Sequence, residues 1–253
     1  MEQVSVVIEA NVAYITLERP ESLNALNAEL SQDLMQAFDG ANSNPEVRAV
    51  VLAGRGTSFC AGADLKDPNT HDGSDVVAFL APPPNSVHAV SMCRKPVVTA
   101  VQGWCVGGGI EMAVSSDIVV ASEDARFFFP QVELGIVPGM TRLVRRVGQT
   151  WATRLVMLGE RIDAIEAFRI GLVSEVVSPD RLEARVAEIA ADLASRPIAA
   201  LLLAKESLSE AGDVPVQSGV RADRYRLFML SETGEKKSAH AAFGTDAAAK
   251  PAQ

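Results

Sequence analysis

The stretch Val97-Val98-Thr99-Ala100-Val101-Gln102-Gly103-Trp104-Cys105-Val106-Gly107-Gly108-Gly109-Ile110-Glu111 decides how the rest of the chain reads. Its apolar, β-branched opening, Val97 to Val101, predicts a buried strand, with Pro96 where a first strand residue tolerates it. After the glycine triplet, Ile110, Met112, Ala113 and Val114 predict a buried helical turn or two, ended by Ser115-Ser116-Asp117. Glycine lets backbone approach a ligand closely and take positive φ. The first N–H groups of the helix point outward, and its dipole favours negative charge there. Such a junction can hold an anion that arises only during a reaction. It can equally be a tight packing turn with Glu111 at its rim. A carboxylate among Ile110, Met112 and Ala113 is either buried and paired or an acid/base.

A second stretch bears on that choice. Phe59-Cys60-Ala61-Gly62-Ala63-Asp64-Leu65-Lys66 follows a strand at Ala49 to Leu52 and a Gly54-Arg55-Gly56 turn. It reads as another strand-to-turn-to-helix entry, with a backbone N–H available at Ala63. Two such N–H groups converging on one oxygen, beside one carboxylate, would stabilise an enolate or a tetrahedral oxyanion.

Asn24-Ala25-Leu26-Asn27, Ala61-Gly62-Ala63-Asp64-Leu65, Lys95-Pro96-Val97 and Gly107-Gly108-Gly109-Ile110-Glu111 together resemble the crotonase superfamily, which contains the enoyl-CoA hydratases and isomerases. The resemblance continues through Leu134-Gly135-Ile136-Val137-Pro138-Gly139, Gly159-Glu160-Arg161-Ile162 and Gly171-Leu172-Val173 to Ser231-Glu232, and spans Val4 to about Gly244. Several motifs in one order are more specific than any single motif.

The resemblance implies an α/β fold, a crotonase-type spiral of ββα turns with a C-terminal helical region. It places a core with an acyl-CoA site at residues 1–195 and a trimerisation region at 196–253, giving a homotrimer or hexamer. It casts the N–H groups of Ala63 and Gly108 as an oxyanion pair and Glu111 as one of two hydratase glutamates. Leu23, Ala25, Ala61, Asp64 and Leu65 fall in segments that contact coenzyme A, which enters only as part of the thioester substrate. The expected reaction is syn addition of water to a trans-2-enoyl-CoA through an enolate. The second hydratase glutamate lies twenty positions after the first, behind a proline; here Gln131 follows Pro130. Glu133 is offset by two residues, which should aim it elsewhere unless the backbone bulges. The loop after Pro138-Gly139 is also short, with Met140-Thr141-Arg142 where hydratases carry a longer run. Both departures predict weak hydration, leaving an enoyl-CoA isomerase, another enolate-type reaction or a non-catalytic acyl-CoA-binding protein as alternatives.

Composition bounds the rest. A chain of 253 residues with 48% hydrophobic residues buries a large core. Net charge −9 gives no electrostatic footprint for nucleic acid. Cys60, Cys93 and Cys105 are odd in number and lack Cys-x-x-Cys spacing, which predicts reduced thiols, a cytoplasmic setting and no zinc or disulfide framework. Cys60 and Cys105 read as small apolar fillers rather than nucleophiles. The N-terminus carries no signal-peptide pattern, and no apolar run is long enough to cross a membrane. Clp-type serine proteases share a similar fold, but Gly-x-Ser-x-Gly is missing, and His71, His88 and His240 lie outside both site stretches. Gly54-x-Gly56 lacks the third glycine of a dinucleotide fingerprint.

Further expectations concern single elements. Val4 to Ile8 and Ala13 to Leu17 read as strands, and Asn27 as the cap of a helix to about Asn42. Lys66 to Asn85, with Pro82-Pro83-Pro84, reads either as a substrate-facing loop or as an ordinary surface loop. Thr141 to Leu158 and Ala164 to Ile170 read as helices, Leu172 to Val177 as a strand, and Asp180 as the cap of a helix to Ala194. Beyond Pro197 the pattern is helical at Ile198 to Ala211, Val214 to Leu230 and Glu235 to Phe243, before a frayed Ala/Lys tail.

Overall fold

A computed structural model gives the fold, and it describes residues 1–67, 86–135, 139–232 and 234. Most of the Lys66 to Asn85 loop, Ile136-Val137-Pro138, His71, His240, the Glu235 to Phe243 helix and the tail lie outside the described residues. Strands β1 (Val4–Glu9) and β2 (Val12–Leu17) form a hairpin turned at Ala10 and Asn11, both at positive φ. Asn27 caps α1 (Ala28–Ser43) by accepting the Leu30 N–H, and the helix buries Leu30, Leu34, Ala37, Phe38 and Ala41. β3 (Ala49–Gly54) follows, then α2 (Ser86–Ser91), which carries an exposed His88.

Two turns of similar build come next. One is β4 (Val97–Val101), β5 (Trp104–Val106) and α3 (Gly108–Ser115). The other is β6 (Ile118–Ser122), β7 (Arg126–Phe128) and α4 (Thr141–Met157), the last broken by non-helical backbone at Gly148. β8 (Ile162–Asp163), α5 (Ala164–Arg169), β9 (Glu175–Val177), α6 (Leu182–Ser195), α7 (Ile198–Glu210) and α8 (Val216–Glu232) complete the order.

Each turn sends one strand to a six-stranded sheet, β1-β2-β3-β4-β6-β9, and the next to a three-stranded sheet, β5-β7-β8. In the large sheet β1 and β2 pair antiparallel and every other pair is parallel. This is the expected spiral of ββα turns. The large sheet is covered on both faces. Val97 and Val101 belong to the main core, whereas Val98 and Ala100 pack with Val51, Val120, Leu182, Val186 and Ala190 beneath α6. Two-sided burial is why β4 reads as an unbroken apolar run rather than an alternating one.

Four expectations need correction. The sequence pattern passes straight from β4 to a helix, but Gly103 at φ +52° turns the chain into the short strand β5 first. Ala61 to Asp67 form no helix; the segment makes single-residue parallel bridges, Leu26 to Ala63 and Cys60 to Cys105. Leu172 and Val173 do not join β9, because their N–H groups close the end of α5 on the Ala167 carbonyl after Gly171 turns at φ +81°. Asp180 does not cap α6. Pro179 starts helical geometry early, so Asp180 lies inside a 3-10 turn, Pro179–Arg181, and no side chain caps α6.

One buried residue ties the hairpin to the segment leading to Ala63. Asn24, fully buried at φ +55°, accepts the Arg19 N–H at 2.9 Å and donates to the Arg55 and Ser58 carbonyls, both at 2.9 Å. Asn24→Ala orphans three backbone groups and places alanine in left-handed backbone. It should cost about 2–4 kcal/mol in urea unfolding; a loss below about 1 kcal/mol would contradict this account of Asn24.

Candidate active site

The site forms where two backbone arms meet. The first is the start of α3. Gly107, at φ +49°, precedes the helix without a side-chain cap and donates its N–H to the Phe128 carbonyl at 3.0 Å. Glu111 N–H returns to the Gly107 carbonyl at 3.1 Å, closing the first helical turn, and the Gly108 N–H meets no acceptor among the described residues. A Cβ at Gly109 would stand 2.6 Å from the Cys60 carbonyl, so only glycine lets the arms touch.

The second arm is Cys60 to Asp64. Leu26 N–H donates to the Gly62 carbonyl at 2.7 Å and Asp64 N–H to the Leu26 carbonyl at 2.9 Å. In this parallel bridge the residues flanking Ala63 face Leu26, so the Ala63 N–H turns to the opposite side, where no acceptor of the described chain meets it. A Cβ on Gly62 would lie 3.7 Å from the Gly108 nitrogen, which places the two arms side by side. The Ala63 and Gly108 amides named from the sequence are thus brought together by the fold.

Glu111 stands half-buried one turn into α3. Burial pushes its carboxyl above the ordinary range, opposed by the Gly139 N–H, the Arg142 guanidinium and the Gln131 amide. Gln131 donates through Nε2 to Glu111 Oε1 at 3.4 Å, while its own Oε1 is buried with no partner among the described residues. Glu133 points elsewhere, as its offset implied. Its Oε1 lies 2.6 Å from where a Gly159 Cβ would sit, and the residue is exposed. Of the three, Glu111 and Gln131 meet, with the Gln131 amide beside Gly107, and Glu133 lies apart from them. Gly139 and Arg142, which support Glu111, were not singled out from the sequence as site residues; the Pro138-Gly139 turn was the only local signal.

Around the arms, Leu23 and Leu65 are exposed apolar side chains, Leu65 at 66%, while Ala25 is buried and Ala61 half-buried. Asp64 pairs with Arg19 at 3.0 Å. Cys60 and Cys105 are fully buried free thiols, and burial pushes the Cys60 thiol up to about 12, so both act as fillers. Among the described residues no cluster of His, Cys, Asp and Glu could hold a metal ion.

This arrangement offers two inward N–H donors, one tunable carboxyl and one neutral amide. Comparison with known proteins places the whole chain. The family described as Enoyl-CoA hydratase/isomerase matches residues 7–245. A probable enoyl-CoA hydratase of Rhizobium meliloti (strain 1021) is 39% identical over 96% of this chain and 95% of its own length. A short-chain-enoyl-CoA hydratase of Clostridium acetobutylicum is 36% identical over 96% and 95%. The crystal structure of an enoyl-CoA hydratase from Bacillus anthracis superposes with a TM-score of 0.89 at 30% identity, covering 96% of each chain.

The Gln131 contact has a measurable sign. Donation from Nε2 favours the ionised carboxylate, so Gln131→Leu should raise the Glu111 pKa further above the glutamate range. The carboxyl infrared band, followed against pH in wild type and variant, reads this directly. A downward shift would mean that the amide does not donate to Glu111.

Proposed function

The chain belongs to the enoyl-CoA hydratase/isomerase family of the crotonase superfamily, and from that premise we propose that it hydrates a trans-2-enoyl-CoA with Glu111 as its sole acid/base. The observation that carries the reading is the pair of unengaged N–H groups, Ala63 and Gly108, beside a half-buried carboxyl. The thioester oxygen sits between these amides and gathers charge as an enolate when water attacks C3. Glu111 takes a proton from that water as its oxygen bonds to C3. The C2=C3 electrons move toward the thioester oxygen. Glu111 then returns the proton to C2, so one water supplies both groups to one face.

Gln131 orients but does not exchange protons near neutral pH. Burial of Glu111 suits this double duty, because a raised pKa makes it a better base toward water, and the protonated carboxyl can still return its proton to the enolate carbon. Leu23, Ala25, Ala61, Asp64 and Leu65 are the proposed contacts of coenzyme A, a reading supported by the exposed apolar side chains of Leu23 and Leu65. Acid/base and anion-stabilising groups come from the chain itself, so coenzyme A in the substrate is the only carrier invoked, with no nucleic-acid or membrane partner. Among the described residues no helix is long and apolar enough to cross a membrane. The three free thiols support a reducing, cytoplasmic setting.

The second reading is double-bond isomerisation, favoured by the single carboxylate: one acid/base can carry a proton between two carbons. Crotonyl-CoA and a 3-enoyl-CoA, assayed side by side, separate the two activities.

Residues 196–253 are the proposed trimerisation region. On α7 and α8 Leu208 is 78% exposed, Val216 77% and Phe228 66%, with Val220 and Leu227 also open. Apolar helices left open on a core of this size commonly bury against another copy.

Three outcomes follow. Glu111→Gln keeps the shape and removes the base; turnover should fall about 10²–10⁴-fold with acyl-CoA affinity nearly intact, and unchanged turnover would remove Glu111 from the mechanism. Gln131→Glu should raise crotonyl-CoA hydration well above wild type; an already efficient wild type with no gain would show that the amide is no handicap. Light scattering at micromolar concentration should give a trimer or hexamer, and a monomeric mass would refute the assembly.

A further inference from the structure

Arg19 lies outside both arms, yet it reaches the second of them and the Leu23–Leu26 segment beside it. Its guanidinium donates through one nitrogen to the Ala25 carbonyl and through another to Asp64 Oδ2 at 3.0 Å. Both partners of this ion pair are well covered, at 15% and 16% side-chain exposure. Asp64 directly follows Ala63, whose N–H is one of the two inward donors. We propose that Arg19 is a positioning residue that sets the direction of the Ala63 amide, by clamping Asp64 against the fixed Leu23–Leu26 segment; this rests on the enolate role given to that amide above.

The two sides of the clamp are unequally held. On the Ala25 side, Asn24 is locked by its buried bonds to Arg19, Arg55 and Ser58, and Ala25 N–H bonds the Ser22 carbonyl at 3.1 Å. The Ala63 side belongs to neither sheet. Beyond the Cys60 bonds to Trp104 and Val106, it is held by backbone bonds from Ala61 to Leu23 and between Leu26 and both Gly62 and Asp64, by the Lys66 N–H on Asp64 Oδ1 at 3.1 Å, and by the ion pair with Arg19. Loss of the guanidinium therefore releases Ala63 and Asp64 before it disturbs Leu23 and Ala25. An N–H donor that turns away by a fraction of its bond length still lets coenzyme A bind. It stabilises the enolate poorly, because hydrogen bonds weaken steeply with angle. A planar, forked donor suits the task, since it engages a carbonyl and a carboxylate at once.

The test compares Arg19→Met, Arg19→Lys and wild type by titration calorimetry with two probes, free coenzyme A and acetoacetyl-CoA, whose thioester enolises. Wild type should bind both. Arg19→Met should lose about tenfold or more in affinity for acetoacetyl-CoA while coenzyme A changes by less than about threefold. Its kcat on crotonyl-CoA should fall about 10²-fold at nearly constant KM, the size expected for a misplaced oxyanion donor. Arg19→Lys should recover part of the loss, keeping the charge on Asp64 without the fork. Should Arg19→Met fail to fold, Arg19→Gln keeps a polar side chain without the charge or the fork and should show the same split in smaller measure. Equal loss on both probes, or no loss on either, overturns the positioning role. A wild type that binds neither probe overturns the proposed function itself, and with it this inference.

Discussion

The backbone of Cys60 pairs with that of Trp104 and Val106, through N–H to carbonyl contacts of 3.1 and 2.9 Å, and the site depends on this pairing. It lays the Cys60–Asp64 arm along β5, beside the start of α3. The fit is tight enough that Gly109 carries no Cβ and Cys60 no polar side-chain partner other than the Gly62 N–H at 3.4 Å. Two donors result that find no acceptor among the described residues. Leaving N–H groups unpaired costs stability, and folded chains rarely accept that cost away from functional sites. In the proposed reaction the surrounding spiral holds both in place, so no reorganisation would be needed as charge develops between them.

The carboxyl beside those donors is set by opposing effects. Burial drives Glu111 toward its neutral form, and the Gly139 amide, Arg142 and Gln131 pull it back. A carboxylate at position 131 would replace a donor with a like charge, raising the Glu111 pKa and coupling the two titrations. Gln131 instead holds Glu111 as a single titrating group, at the cost of a buried Oε1 with no partner. The exchange of one atom type at one position thus changes the number of protons the site can handle, while the geometry of the two arms stays as it is.

The spiral explains how distant segments support so small a site. β4 brings α3 into position, β7 supplies the Phe128 carbonyl that receives Gly107, and Gly139 enters just ahead of α4. Asn24 and Arg19, from the turn after the hairpin, secure the other arm. The contributors come from three separate parts of the chain, so the site's precision is a property of the stacked layers rather than of any one loop.

The sequence by itself determined the elements with strong local signals. β4 could be read from its β-branched run, α1 from Asn27 and its apolar face, and the helix after the glycines from the triplet that only an open N-terminus requires. The ordered set of motifs extended this to the family; Glu111 was legible from its place after the glycines, and Gln131 from the resemblance alone. Tertiary structure alone decided the rest. β5 is three residues long and shows no period, so only its pairing with β7 defines it. Asp180 carries a capping side chain, but Pro179 had already begun the turn. The Arg19 clamp joins residues 45 positions apart, and no local pattern encodes it. The direction of the Ala63 amide is likewise invisible in sequence, because it is fixed by which neighbours bond to Leu26 across the bridge. Local propensity writes helices and strands into a chain, whereas the facing of a single backbone N–H exists only once remote segments have paired.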